Sequence, residues 1–123
     1  MSDAGNFAET EIADYLGGNG APSAITNVWL KLHLGAPGET GASNAAVETT
    51  RMEATYDPAV SGVASLTATV SWTGVSTTET VTHVSAWDAE TVGNHLFNGT
   101  LASSVALTAG DDLDLTGHTI TVA

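Results

Sequence analysis

Four histidines, His33, His83, His95 and His118, are the side chains best suited by type to proton transfer or metal binding near neutral pH. Each stands alone on a strand-like segment or at its start. No HxH or HxxxH pair aims two imidazoles at one ion, so they read as polar-face or interface residues and no metal site is expected. Aspartates gather in Gly110-Asp111-Asp112-Leu113-Asp114, and hard cations favour clustered oxygens. That segment lacks the glycine and closing glutamate of an EF-hand loop, and a Gly-Asp turn opening a strand accounts for it without an ion. Serine and threonine abound, but there is no GxSxG elbow to present a nucleophile. No glycine-rich loop leads into a helix with a lysine, so a phosphate cradle is absent. Paired carboxylates for glycoside cleavage need a deep cleft, which a domain this small rarely makes. Asn98-Gly99-Thr100 has the form of a glycosylation acceptor, but it falls within or beside a strand. No catalytic residue, cofactor or metal ligand is assigned, and the expectation is a protein that is not an enzyme.

The charge balance narrows the partners. Fourteen acidic residues face two basic ones, Lys31 and Arg51, for a formal net charge of -12 over 123 residues. Such a surface repels phosphate backbones and anionic lipid heads, so neither nucleic acid nor membrane insertion is expected. Ordinary soluble domains intersperse both signs of charge to limit self-repulsion. Carboxylates without ammoniums suit a high-salt medium, where the Debye length shrinks to about 3 Å near 1 M. With no cysteine, disulfides and thiolate chemistry are excluded. No apolar run approaches the roughly 20 residues of a membrane span. Met1-Ser2-Asp3-Ala4-Gly5 lacks the basic and apolar regions of a signal peptide, so synthesis in the cytoplasm is expected.

The elements that must position these residues begin with a helix. Asn6 is the expected cap, Glu9 follows three residues on, and Gly17-Gly18 stop the helix after Leu16. Phe7, Ile12, Tyr15 and Leu16 make an uneven apolar stripe on a helix too short to be stable alone. That stripe must pack on its own sheet or on a neighbouring subunit. Residues 1–24 thus read as helix and linker, and residues 27–122 as a β domain.

From Asn27 the hydrophobic period becomes two. Val28, Leu30, Leu32 and Leu34 alternate with Trp29, Lys31 and His33; Ser65 to Thr73 gives the cleanest alternation. Further strands are expected in Thr49 to Tyr56, Val81 to Trp87, His95 to Leu101, Ser103 to Thr108, near Leu113, and in His118 to Val122. Short strands with frequent turns predict a mainly β fold: a small antiparallel β-sandwich or flattened barrel of six to eight strands. Leu30, Leu32, Leu66, Val70, Trp72, Val84 and Ile120 are the expected core. Trp29, opposite the leucine face beside Lys31, joins Phe7, Ile12, Tyr15 and Leu16 as a candidate interface residue.

The order of the motifs carries a resemblance. Val28-Trp29-Leu30-Lys31-Leu32-His33-Leu34-Gly35-Ala36-Pro37-Gly38-Glu39-Thr40-Gly41 resembles the "YLxLHTxxPGETG" opening of small structural proteins of tailed phages and archaeal tailed viruses, often labelled tail-fibre-like or minor structural proteins. Val81 to Phe97 is similar to that family's "VTHxxxxDAxTGGNxLx" segment, and Gly99-Thr100-Leu101 and Ala109-Gly110-Asp111 resemble its later strand and turn. The chain departs at Leu34-Gly35-Ala36, where a threonine and an acidic residue are usual, and at Val92-Gly93, where two glycines are common. The resemblance implies a structural virion protein, made in the host cytoplasm and assembled as a homo-oligomer with other capsid or tail proteins. The host cell surface is a further partner it admits. The scarcity of basic residues points to a virus of a halophilic archaeon. An accessory place on the capsid surface, as decoration, turret or spike, is set ahead of a tail-tip or tail-fibre place. The competing class is a carbohydrate-binding sandwich of a halophile, with Trp29, Trp72 and Trp87 as a stacking platform.

Overall fold

The computed structural model describes residues 4–121. Helix α1 (Asn6–Leu16) comes first, followed by β1 (Val28–His33), β2 (Met52–Ala54), β3 (Val63–Ser65) and β4 (Val70–Trp72). The longest strands are β5 (Glu79–Trp87) and β6 (His95–Leu107), and β7 (Leu113–Leu115) and β8 (Thr119–Thr121) complete the order. A four-stranded sheet runs β2-β1-β5-β6, and two-stranded pairs β3-β8 and β4-β7 complete the β structure. Every pairing is antiparallel and no barrel closes, so the fold is mainly β with one short helix among the described residues.

Alternation in β1 does what period two requires. Leu30 and Leu32 point inward with no exposed surface and lie opposite Ala86 and Val84 of β5. Trp29, Lys31 and His33 take the other face, opposite Trp87, Ser85 and His83. The expected core residues Leu30, Leu32, Val70, Trp72 and Val84 are buried, while Leu66 and Ile120 are half-buried against the same cluster. Trp72 is the largest of the fully buried side chains, and its indole N–H donates to the Thr50 carbonyl at 2.9 Å. Burying that indole without a partner for its N–H would carry a desolvation cost; the hydrogen bond removes it.

Three local expectations are corrected. Ser65 to Thr73 does not form one strand: β3 pairs with β8 and β4 with β7, and the chain changes partner between them. At the crossing Leu66 N–H donates to the His118 carbonyl and Thr67 N–H to Thr55, so hydrogen bonds continue across the break. His95 to Leu101 and Ser103 to Thr108 are instead one strand. Within it Thr100 faces His83 and Val105 faces Val81, so residues 101–104 bulge out opposite Thr82. Finally, Gly5 rather than Asn6 is the helix N-cap, and no side chain caps it. Gly5 is held there because its N–H donates to Leu96 of β6 and a Cβ would strike the His95 ring at 2.3 Å. The last expected strand is Thr119–Thr121, and Val122 lies outside the described residues.

Candidate functional site

The outer face of the four-stranded sheet holds an unusual density of polar side chains under cover. The segment after β1 folds back over it as a roof, closed by Leu34 N–H to Asn44 O (2.8 Å), Ser43 N–H to Pro37 O (2.9 Å) and Ala46 N–H to Leu32 O (3.1 Å). Pro37 is buried inside this turn. Beneath the roof lie His33, Ser85, His95 and Asn98, all buried. His33 Nδ1–H donates to the Ser43 carbonyl at 2.9 Å, which leaves Nε2 to accept the Ser85 hydroxyl at 2.7 Å. Ser85 Oγ in turn accepts the Trp87 indole N–H at 2.8 Å. His95 Nδ1 lies 3.1 Å from the Glu39 carbonyl and its Nε2 2.7 Å from Asn98 Oδ1. Asn98 Nδ2 donates to Gly38 O at 2.9 Å. Every one of these bonds either ties the roof to the sheet or aligns a side chain that does. Gly41 (φ +70°) lets the roof come this close, because a Cβ there would sit 2.6 Å from the His95 ring and 2.8 Å from Trp87.

A serine hydroxyl bonded to a histidine is the geometry of an activated nucleophile, so its chemistry needs weighing. Ser85 has no exposed surface. Its oxygen already accepts the Trp87 N–H, and the group orienting His33 is a neutral backbone carbonyl. A substrate has no approach to this oxygen. The pair works as a strut. Burial pushes the His33 imidazole below its ordinary pKa, with Lys31, His95 and His83 adding to that and the Ser43 bond opposing it.

The remaining candidates disperse. His83 Nδ1 bonds Thr82 Oγ1 at 2.7 Å. His118 Nδ1 meets the Tyr56 hydroxyl at 3.0 Å, its ring stacks on Phe97 at 6.1 Å, and it rests on Gly99. Burial lowers the His118 pKa and raises that of Tyr56. No group of three or more potential ligands converges on one point among the described residues. The aspartates of the Gly110 turn face separate donors: Asp111 takes Thr108 N–H (2.8 Å), Asp112 takes Gly74 N–H (2.8 Å) and Asp114 takes Ser71 Oγ–H (2.6 Å). Glu79 likewise accepts Val47 and Glu48 N–H, and Glu48 accepts Ser76 N–H. Backbone amides, and for Asp114 a serine hydroxyl, hold these carboxylates in place of lysines.

The expected interface residues separate into two places. On α1, Phe7 packs against the core and Ile12 is half-buried, whereas Tyr15 and Leu16 are 57% and 77% exposed. Trp29 is half-buried on the outer sheet face, paired across strands with Trp87. Arg51 reaches over the Trp87 ring at 4.1 Å and donates to the carbonyls of Ala89 (2.9 Å) and Val92 (2.7 Å). Trp72 is in the core, so the three indoles do not share one surface.

A family model described as "Podophage GP4 fiber I protein gp80" matches residues 3–123, nearly the whole chain. The chain belongs to this phage fibre family. A search of curated proteins finds no match. The family is one of structural components of the virion, in agreement with the resemblance read from the motifs.

Within this fibre protein the motifs that carried the resemblance meet in space. Pro37 to Gly41 is the roof, His33 its strut, and Asp88 to Asn94 the turn beside it. Sequence reading missed Ser85, His95 and Asn98 as one cluster. Their spacing along the chain carries no sign of the roof that buries them. The departure at Val92 has a structural cost: this β-branched residue holds φ +56°, ahead of Gly93 at +75°. Asp88 closes the turn with Oδ1 on Asn94 N–H (2.7 Å) and Oδ2 on Asn94 Nδ2 (2.9 Å).

Proposed function

We propose that this chain is a non-enzymatic, multi-copy module exposed on the particle of a tailed virus, where it assembles with itself and with other virion proteins. The match to a fibre family over residues 3–123 carries the reading. That description favours a fibre component over capsid decoration, turret or spike, and it supports the host cell surface as a further partner in this reading. The polar cluster supports the same view, since its hydrogen bonds fix a roof and leave no reactive atom open. The β domain serves as the body, the start of α1 packs on it, and the end of α1, with Tyr15 and Leu16 exposed, is the part left for assembly. The balance of fourteen acids to two bases supports a virus of a high-salt host. Immunoelectron microscopy of purified particles with an antibody to this chain tests the proposal. Labelled fibres are the expected result. Particles that lack the chain altogether would overturn it.

A further inference from the structure

The two cations of this chain are placed against electrostatic sense. Leu30 pairs with Met52 across antiparallel β1 and β2, which sets Lys31 opposite Arg51. Burial and the neighbouring guanidinium both push the Lys31 ammonium below its ordinary pKa. With fourteen carboxylates in the chain, relief is within easy evolutionary reach, yet no ion pair holds either cation among the described residues. Asp88, the carboxylate whose charge Arg51 feels, has both oxygens engaged by Asn94. Glu53, beside Trp29, accepts from Asn27. Arg51 is fixed over Trp87 by two carbonyls, whereas the Lys31 ammonium and the Trp29 indole N–H make no hydrogen bond among the described residues.

The opposite surface is on α1. Glu9 and Asp14 are exposed, the last turn carries no basic residue, and Tyr15, Leu16 and residues 17–27 are all exposed. Within one chain α1 packs on β6, the edge strand opposite β2, and its start at Asn6 and Phe7 borders Trp87. The exposed end of the helix is thus acidic and apolar, and the indole-lined patch carries both cations of the chain, with Glu53 across from Trp29.

We propose that the patch of Trp29, Lys31 and Arg51 receives the Asp14-Tyr15-Leu16 end of α1 from a second copy of this chain. Asp14 neutralises Lys31, and Tyr15 and Leu16 cover Trp29. The two surfaces differ, so the contact is head-to-tail and closes into a ring where its rotation permits. This rests on the self-assembly in the function proposed above and names the contact that makes it.

A charge swap tests it by sedimentation velocity at about 0.15 M salt, where exposed charges act over roughly 8 Å. Lys31→Glu and Asp14→Lys should each weaken assembly by about tenfold or more. The double variant Lys31→Glu/Asp14→Lys should restore it, because every patch then meets an arm of opposite charge. That rescue also shows that the fold tolerates both substitutions. A wild-type oligomer that neither single variant weakens, or a double variant that stays dissociated, overturns the contact while leaving self-assembly standing. A wild-type chain that is monomeric at every concentration removes self-assembly and the contact together. Lys31→Glu that keeps the oligomer but loses adhesion to host cells would give the patch to an anionic receptor and overturn the proposal.

Discussion

A methyl group at position 41 would fall within 3 Å of two rings, so the roof has no slack at its centre. Gly41→Ala must move His95 or Trp87 while forcing alanine to φ +70°, and should destabilise the fold by about 1–3 kcal/mol in thermal or urea denaturation. Val92 is the converse case. Its side chain is 84% exposed and contributes little packing, while its φ of +56° costs energy in a β-branched residue. Val92→Gly should raise stability by about 1 kcal/mol with the Arg51 bond to the 92 carbonyl retained. The histidines set a pH dependence. Burial lowers the folded pKa of both His33 and His118, so the unfolded chain binds their protons first. Their stabilisation is fully present above the unfolded value of about 6.5 and is lost as pH falls through the window beneath it. The melting temperature should hold steady above about pH 7 and fall between roughly pH 6.5 and 5. A flat profile across that interval would show that neither ring is held neutral by burial.

At the scale of elements, α1 divides into a half committed to its own sandwich and a half that is not. Phe7 rests on the core, Gly5 is bonded to β6, and the apolar stripe passes from half-buried Phe7 and Ile12 to exposed Tyr15 and Leu16. Ile12→Asp charges the half-buried stripe of α1. It should release subunits with the far-UV signal of the β structure intact, as light scattering and circular dichroism in about 1 M salt would show. Assembly that survives the change would leave the Ile12 stretch of α1 outside the interface. The helix, its stop at Gly17, and β1 with its two faces were legible because a local period sets them. What local pattern cannot carry is partner exchange. Ser65 to Thr73 alternates cleanly, yet Leu66 must serve β8's neighbourhood and Val70 must serve β7, so the run breaks where the sequence shows nothing. The polar cluster was hidden for the same reason. His33, Ser85 and Asn98 are adjacent only through the β1-β5-β6 register, and their burial depends on a roof whose only sequence sign is a Pro-Gly turn.

For the whole molecule, net charge decides how the fold responds to its medium. The twelve excess negative charges have almost no cations to offset them, and carboxylates such as Glu48 and Glu79 are instead held by backbone amides. Hydrogen bonds from Thr50 and the Ser76 amide keep Glu48, and those from the Val47 and Glu48 amides against the pull of burial keep Glu79, below the usual carboxylate pKa, but they do not reduce mutual repulsion across the surface. Raising salt from about 0.1 M to 1 M shortens the Debye length from roughly 10 Å to 3 Å, so the melting temperature should climb over that range. A value that stays flat or falls would remove the high-salt reading and leave the fold untouched. The bulge at residues 101–104 matters most when many such molecules are crowded together. A long strand at the rim of a sheet is a template on which an identical neighbour can add its own backbone, and the density of copies on a particle favours that event. In β6 the chain is thrown out of line midway, and its rim at Leu96 and Phe97 is already taken by Ala4 and Gly5, so no long unbroken run is left for a neighbour to follow. Where the proposed assembly brings copies side by side, this rim offers them no unbroken edge along which to zip into amyloid-like stacks.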